Sequence, residues 1–190
     1  MIAIRPAADA GAPALASIAV AAYQHYVPRI GQPPAPMTAD YTAAIRRGQA
    51  WVAAVDGEVA GFIILLSRPG YLLLENVAVL PAAQGRGIGA RLLALAEDRA
   101  RALHVPEIRL YTHAAMTENL AYYPQHGYTE THRAQQAGFH RVFFRKRVTP
   151  DRPNRGMRIL AKPLPRRPPF AARQRSRSTR AGARHFRSST

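Results

Sequence analysis

The chain predicts an α+β fold in which helices flank a mostly antiparallel sheet with one parallel strand pair near its middle. Three observations predict it. Asp56-Gly57 stands between two apolar runs, Ala50 to Val55 and Glu58 to Leu66, and suits a type I′ hairpin whose two central residues need positive dihedrals. The strand-forming run Leu72 to Val79 leads through a glycine-rich turn into an amphipathic helix and then into Glu107 to Thr112. Strand, helix and strand in that order give a parallel pair by a right-handed crossover. Tyr128 to His132 and Phe139 to Arg147, joined by a turn holding Gly138, then close the sheet as antiparallel strands.

In chain order, Ile2 to Arg5 reads as a short first strand. A helix follows to about Tyr23, with Ala14, Leu15, Ile18, Ala19 and Ala22 on its apolar face. Tyr26 to Met37 holds four prolines and reads as an irregular loop, whose aromatic and basic side chains suit the lining of a pocket. Thr38, Asp40 and Tyr41 open a second short helix to about Arg47. In Leu72 to Val79 both alternating faces are apolar, the pattern of a strand covered on both sides. Pro81 ends it, and the next helix carries Ile88, Leu92, Leu95, Ala96 and Leu103 on one stripe. Thr117 to Asn119 start a short helix that Gly127 ends.

Composition narrows the classes. The 190 residues suit one domain with an extension, and the absence of cysteine excludes disulfides and thiolate metal sites. No stretch of eighteen apolar residues occurs and Met1 to Pro6 has no apolar leader pattern, so the expectation is a soluble, unprocessed, cytoplasmic protein without a membrane partner. The formal charge of +16 is concentrated at one end. Residues 149 to 190 hold twelve of the 27 basic residues and one of the eleven acids, which leaves 15 minus 10, or +5, for residues 1 to 148. From 149 onward the composition is Arg, Pro, Ser and Ala, too poor in apolar surface to offset chain entropy, and a disordered basic tail is expected there.

The turn Gln84-Gly85-Arg86-Gly87-Ile88-Gly89, followed by Ala90, is an anion site in outline. The first N–H groups of a helix lack intrahelical partners, and glycines let a phosphate approach the backbone. Arg86 can add a charge-assisted contact. A dinucleotide reading of Gly85, Gly87 and Ala90 is opposed by the five-residue gap after the strand, by Glu107 lying before rather than after the next strand, and by too little chain for a doubly wound sheet. A P-loop is excluded because no Lys-Ser or Lys-Thr pair closes the run.

Gln84, Gly87 and Gly89 meet the pattern Q/R-x-x-G-x-G/A, Val77-Ala78-Val79 precede it, and Tyr123-Pro124-Gln125-His126-Gly127-Tyr128 place a tyrosine four residues before Gly-Tyr. In these motifs and their order the chain resembles the GCN5-related N-acetyltransferases (GNAT), over roughly residues 1 to 148. The resemblance implies that the parallel pair splays and that acetyl-coenzyme A, as cosubstrate, lies in the gap. Its arm would run along Val77, Ala78 and Val79, and its pyrophosphate would rest on Gln84, Gly85, Arg86, Gly87, Ile88, Gly89 and Ala90. The resemblance further implies that Tyr123 protonates the leaving thiolate and that the first helix, loop and second helix face the acceptor. An asparagine usual seven residues before that tyrosine is Met116 here, and Asn119 stands on nearly the same helix face, either replacing it against the coenzyme or facing the acceptor.

Amide formation from a thioester also needs a base. Glu75 is the one acid between Glu58 and Glu97, and strand alternation puts it with Val77 and Val79 beside the expected splay, where partial burial would suit it to accept the amine proton directly or through water. Tyr26, Arg29 and His113 are the candidate acceptor contacts. No His-x-x-x-His pair or acid cluster at ligand spacing occurs, so no metal is expected. The resulting expectation is an acetyl-coenzyme A dependent N-acetyltransferase using direct transfer in a ternary complex, with a small-molecule or peptide amine as acceptor. The alternative is a catalytically silent acyl-coenzyme A binding module with a polyanion-binding tail. An incidental tail is the favoured expectation, with nucleic-acid binding allowed through the tail alone, and a homodimer is left open.

Overall fold

The computed structural model describes residues Met1–Thr149. The basic tail expected beyond them lies outside the described residues. Seven strands form one sheet: β1 (Ile2–Pro6), β2 (Ala50–Val55), β3 (Glu58–Arg68), β4 (Tyr71–Val79), β5 (Glu107–His113), β6 (Thr129–Gln136) and β7 (Phe139–Arg147), ordered β1-β2-β3-β4-β5-β7-β6. The pair β4–β5 is parallel and the other neighbours are antiparallel. Five helices accompany them: α1 (Ala12–Tyr23), α2 (Val27–Ile30), α3 (Tyr41–Arg46), α4 (Ile88–Ala102) and α5 (Thr117–Gln125).

The sheet separates two apolar layers, as the two-sided pattern of the central strands requires. On one face Leu92, Leu93 and Ala96 of α4 pack with Ile63, Leu72, Leu74, Ile108 and Leu110. On the other, Leu15, Ile18 and Ala19 of α1 and Tyr41 and Ile45 of α3 pack with Val52, Phe62 and Ile64. The Asp56-Gly57 turn has φ values of 52° and 94°, as a type I′ hairpin demands. Asp40 caps α3 by accepting the Ala43 N–H at 3.0 Å.

Two local departures from simple alternation set up the centre. Ile64 pairs with Asn76 and Leu65 with Leu74, so Glu75 is the extra residue of a β-bulge in β4. The slip moves Leu74 and Leu72 to the α4 layer, while Asn76 and Ala78 face α1 and α3. Glu75 is therefore exposed at the bulge and does not share a regular face with Val77 and Val79. Parallel pairing of β4 with β5 covers Leu72 to Leu74 and Ile108 to Leu110, and beyond these residues the two strands part.

The proline-rich stretch is more ordered than an irregular loop. It forms 3-10 turns at Gln24–Tyr26 and Ala35–Thr38 around the one-turn α2. Pro28 and Pro36 sit in first-turn positions, where the missing N–H breaks no helical bond. The strand β6 runs four residues beyond His132 to Gln136, because Ala137 and Gly138, with φ of 51° and 78°, place a tight turn there.

Close packing of β3 on β4 yields a test of this register. A Cβ on Gly61 would lie 2.9 Å from the Ala78 carbonyl oxygen and 3.2 Å from Ile88 Cγ2. Gly61→Ala should destabilise the domain by roughly 1–3 kcal/mol in urea unfolding, as overpacking against backbone does. An unchanged midpoint would contradict the pairing.

Candidate active site

Two cavities lie where β4 and β5 part. The larger, about 670 Å³, is walled by Val77, Ala78 and Val79 of β4, the turn into α4, and side chains of α1 and α5. Gln84, Gly85, Gly87, Ile88, Gly89 and Ala90 all line it. Gly85 and Gly87 take φ of 74° and 77°, and Gly87 is the left-handed residue from which α4 starts. That conformation costs an L side chain about 1–2 kcal/mol, which accounts for glycine there. The Gln84 side-chain amide donates to the Val79 carbonyl at 3.3 Å and fixes the turn to the strand end. Arg86 is exposed and is not part of the wall.

The smaller cavity, about 320 Å³, lies on the α1 and α3 side of the sheet. Glu75, His113, Tyr111, Phe139 and Arg141 line it from the strands, and Pro34, Pro36, Asp40 and Tyr41 line it from the proline-rich segment and α3. Tyr23, Val77, Asn119 and Tyr123 belong to both cavities and form the wall between them. The sequence candidates are thus divided: Glu75 and His113 face the smaller space, Tyr26 the larger, and Asn119 and Tyr123 both. Arg29 lines neither. It forms an exposed ion pair with Glu118 of α5, at 2.8 and 3.0 Å, and lies 5.5 Å from the Tyr26 ring.

A buried hydrogen-bond chain orients the dividing wall. The Tyr23 hydroxyl lies 2.8 Å from Asn76 Oδ1 and 2.9 Å from the Val77 carbonyl oxygen, sharing one hydrogen between them. Asn76 Nδ2 donates to the Tyr41 hydroxyl at 2.9 Å, and Tyr41 donates to the Pro36 carbonyl at 2.7 Å. Asn76 is 6% exposed, so these bonds satisfy a group that would otherwise be costly to bury. Sequence reasoning did not single out Tyr23, Tyr41 or Asn76. An amide in an otherwise apolar central strand was the available signal, and its tyrosine partners are 53 and 35 residues away.

Burial also tunes the titrating groups. Tyr123 is 6% exposed and desolvation raises its pKa, so it keeps its proton through the neutral range. Burial, with a smaller contribution from His140, lowers the His113 pKa and favours the neutral imidazole. Its Nδ1 accepts the Ala115 N–H at 3.1 Å. Asn119 donates to Thr112 Oγ1 at 3.1 Å, and Met116 is buried beneath it as an apolar support. Among the described residues no group of three or more His, Asp or Glu side chains could hold a metal ion, and no helix is long and apolar enough to cross a membrane.

A glycine-walled helix start thus stands beside the parted parallel strands, with a second cavity across a shared wall. The sequence model of the Acetyltransferase (GNAT) family matches residues 14–128, and the chain belongs to that family. No curated protein sequence matches the chain. Among solved structures, the PaiA N-acetyltransferase of Thermoplasma acidophilum in complex with coenzyme A is 20% identical, with a TM-score of 0.66 over 78% of this chain and 99% of that one. The ribosomal-protein-S18-alanine N-acetyltransferase of Escherichia coli is 20% identical with a TM-score of 0.63, covering 81% and 98% of the two chains. The ribosomal-protein-alanine N-acetyltransferase of Brucella melitensis is 25% identical, with a TM-score of 0.59 over 77% and 99%.

Tyr23→Phe should leave Asn76 Oδ1 buried without its donor and cost about 1–3 kcal/mol of stability. Chemical unfolding of the two proteins checks this. Equal midpoints would mean that water replaces the hydroxyl and that the chain of bonds is not structural.

Proposed function

We propose that the protein transfers an acetyl group from acetyl-coenzyme A to a primary amine directly, with both substrates bound together. The observation that supports this most is the shared wall: Tyr23, Val77, Asn119 and Tyr123 border both cavities, so a donor in one and an acceptor in the other meet at a single place. Holding two reactants there converts a bimolecular encounter into a positioned one.

In this reading the glycine turn and the start of α4 hold the coenzyme pyrophosphate through unpartnered N–H groups, and the exposed edge of β4 carries the acyl arm. The coenzyme supplies the activated thioester. On the cleft side of β4 the Val77 and Val79 carbonyls are occupied by Tyr23 and Gln84. In a strand the N–H and C=O of one residue project to the same edge, so the Val77 N–H stands there to polarise a carbonyl oxygen. Glu75, exposed on the bulge at the smaller cavity, attracts an ammonium and takes its proton directly or through water. Tyr123 holds its proton in the dividing wall until a thiolate forms beside it. The dry surroundings that raise the phenol pKa raise that of a neighbouring thiol as well, so proton transfer between them stays feasible.

The acceptor is the part of the reading argued from shape. The cavity of about 320 Å³ is walled largely by Tyr, Phe, Pro, Leu and Ile side chains, with the Glu75 and Asp40 carboxylates and Arg141 as its charged groups. A primary amine on a compact, partly apolar body fits such a wall, and the neutral His113 adds no repulsion against an ammonium.

Gly87→Asp places a negative side chain at the helix start, in a residue type that tolerates the left-handed region better than most. Coenzyme affinity in a calorimetric titration should fall by roughly tenfold or more, about 1.4 kcal/mol per decade. A folded variant with the parent dissociation constant would remove the pyrophosphate from this turn.

Tyr123→Phe should lower turnover by roughly 10² and leave coenzyme binding nearly intact, because only the proton donor is lost. Glu75→Gln should lower turnover, because the carboxylate that takes the amine proton is lost. A free-thiol release assay against a panel of amines reads both variants. Wild-type turnover in both would assign proton transfer to water or substrate, and binding without turnover on any amine would favour a silent acyl-coenzyme A module.

A further inference from the structure

We propose that the β5–β7–β6 half of the sheet, on the face shared with α1 and α3, is a docking platform for single-stranded nucleic acid. The helices α1 and α3 pack over β2, β3 and β4 on that face. The remaining half carries side chains that are half-buried or exposed. Their register puts Glu107, Arg109, Tyr111 and His113 of β5 opposite Arg147, Arg145, Phe143 and Arg141 of β7, while Ile108, Leu110, Val142 and Phe144 point into the core. Arg68 and Tyr71, paired at the β3–β4 end, continue the same face.

The platform is layered as well as basic. The Arg109 guanidinium lies 4.2 Å from the Tyr71 ring centroid and that of Arg141 4.1 Å from Tyr111. His132 of β6 stacks on Phe143 at 4.3 Å with 6° between planes, and Tyr111 lies 5.9 Å from Phe143. Flat guanidinium, imidazole and phenyl surfaces repeated across four strands are what unpaired bases stack upon. Strands about 4.8 Å apart make the array long enough for two or three nucleotides.

Charge decides the occupant. Arg68, Arg109, Arg145 and Arg147 face Glu107 alone among the acids paired in this register, and Glu107 is bonded to Arg109 at 2.6 Å; Glu75 and Asp40 lie at the far edge, where they line the smaller cavity with Arg141. A second copy presenting the same patch across a two-fold axis would set arginines against arginines. A flexible polyanion bearing aromatic rings satisfies both features, and each phosphate neutralised releases counterions. From sequence, nucleic-acid binding is open only to the tail, whose aromatics are Phe170 and Phe186 alone; here the aromatics are on the folded sheet. The residues varied in the test are separate from the acetyl-transfer site, since Tyr71, Arg109 and Arg145 line neither cavity, whereas Tyr111, His113 and Arg141 at the other end of the platform also line the smaller one.

The test uses the full chain and a short fluorescein-labelled oligouridylate, with affinity read by anisotropy over a salt series. The double variant Arg109→Ala/Arg145→Ala should bind roughly tenfold more weakly at physiological salt, with a log–log salt slope shallower by about 1.4, that is about 0.7 for each lost contact. Tyr71→Ser should weaken oligouridylate roughly tenfold and leave heparin, a polyanion without bases, unchanged. Ultraviolet crosslinks should map to β4, β5 and β7, and both variants should keep the parent affinity for acetyl-coenzyme A. Parent-like oligonucleotide binding in both variants, crosslinks confined to residues beyond 149, or equal losses for heparin and oligouridylate in Tyr71→Ser would each overturn the platform.

Discussion

The rest of the structure depends on one extra residue in β4. With Glu75 left out of the pairing, Leu72 and Leu74 turn to the α4 layer while Asn76 and Ala78 turn to the α1 layer. A β-bulge bends its strand and strengthens the local twist. Here it comes directly after the last residues that pair with β5, so the bend and the parting of the strands coincide. An uninterrupted β4 could pair with β5 to the strand end and so close the gap in which the two cavities lie. The bulge also brings a carboxylate to the rim of the smaller cavity, on a residue with no packing duty.

A parted strand edge is unstable unless its polar groups are managed. The Tyr23 hydroxyl and the Gln84 amide cover the two carbonyls, and both come from elements already anchored by packing. Asn76 then couples that edge to Tyr41 and through it to the Pro36 carbonyl. Floor, roof and dividing wall of the smaller cavity are thereby one bonded unit. The exposed contacts over it are weaker: Arg29 with Glu118, and Gln32 with the Gly138 carbonyl at 3.4 Å. Solvent screens ion pairs of that kind, so the proline-rich roof is held chiefly by burial of Tyr26 and Tyr41.

What was legible in the sequence follows the reach of each signal. Asp56-Gly57, the α4 stripe and the alternation of Phe139 to Arg147 are local, and each element formed close to its expected place. The bulge was not legible, because the apolar run Leu72 to Leu74 reads equally well in either register and only pairing with β3 reveals the slip. The short helical turns around Pro28 and Pro36 are not legible because a proline cluster reads as a helix breaker, although first-turn positions accept proline. For the site, the glycine turn announced itself through residue types that few other environments demand. The buried Tyr23, Asn76 and Tyr41 chain is built from common residues far apart in sequence, and nothing local marks it.

One close contact bears on how such chains can diverge. A Cβ on Gly89 would lie 2.5 Å from the Tyr122 hydroxyl, and the Tyr122 ring is itself packed against His126, tilted by 38° with centroids 4.2 Å apart. The family pattern allows glycine or alanine at this position, but in this chain alanine would require Tyr122 to swing away or be replaced by a shorter side chain. Positions 89 and 122 should therefore covary among close relatives: alanine with a small partner, glycine with a tyrosine. Glycine at a signature position then records a steric agreement between two helices as much as the approach of a ligand, and alanine there is compatible only with a moved or shortened Tyr122.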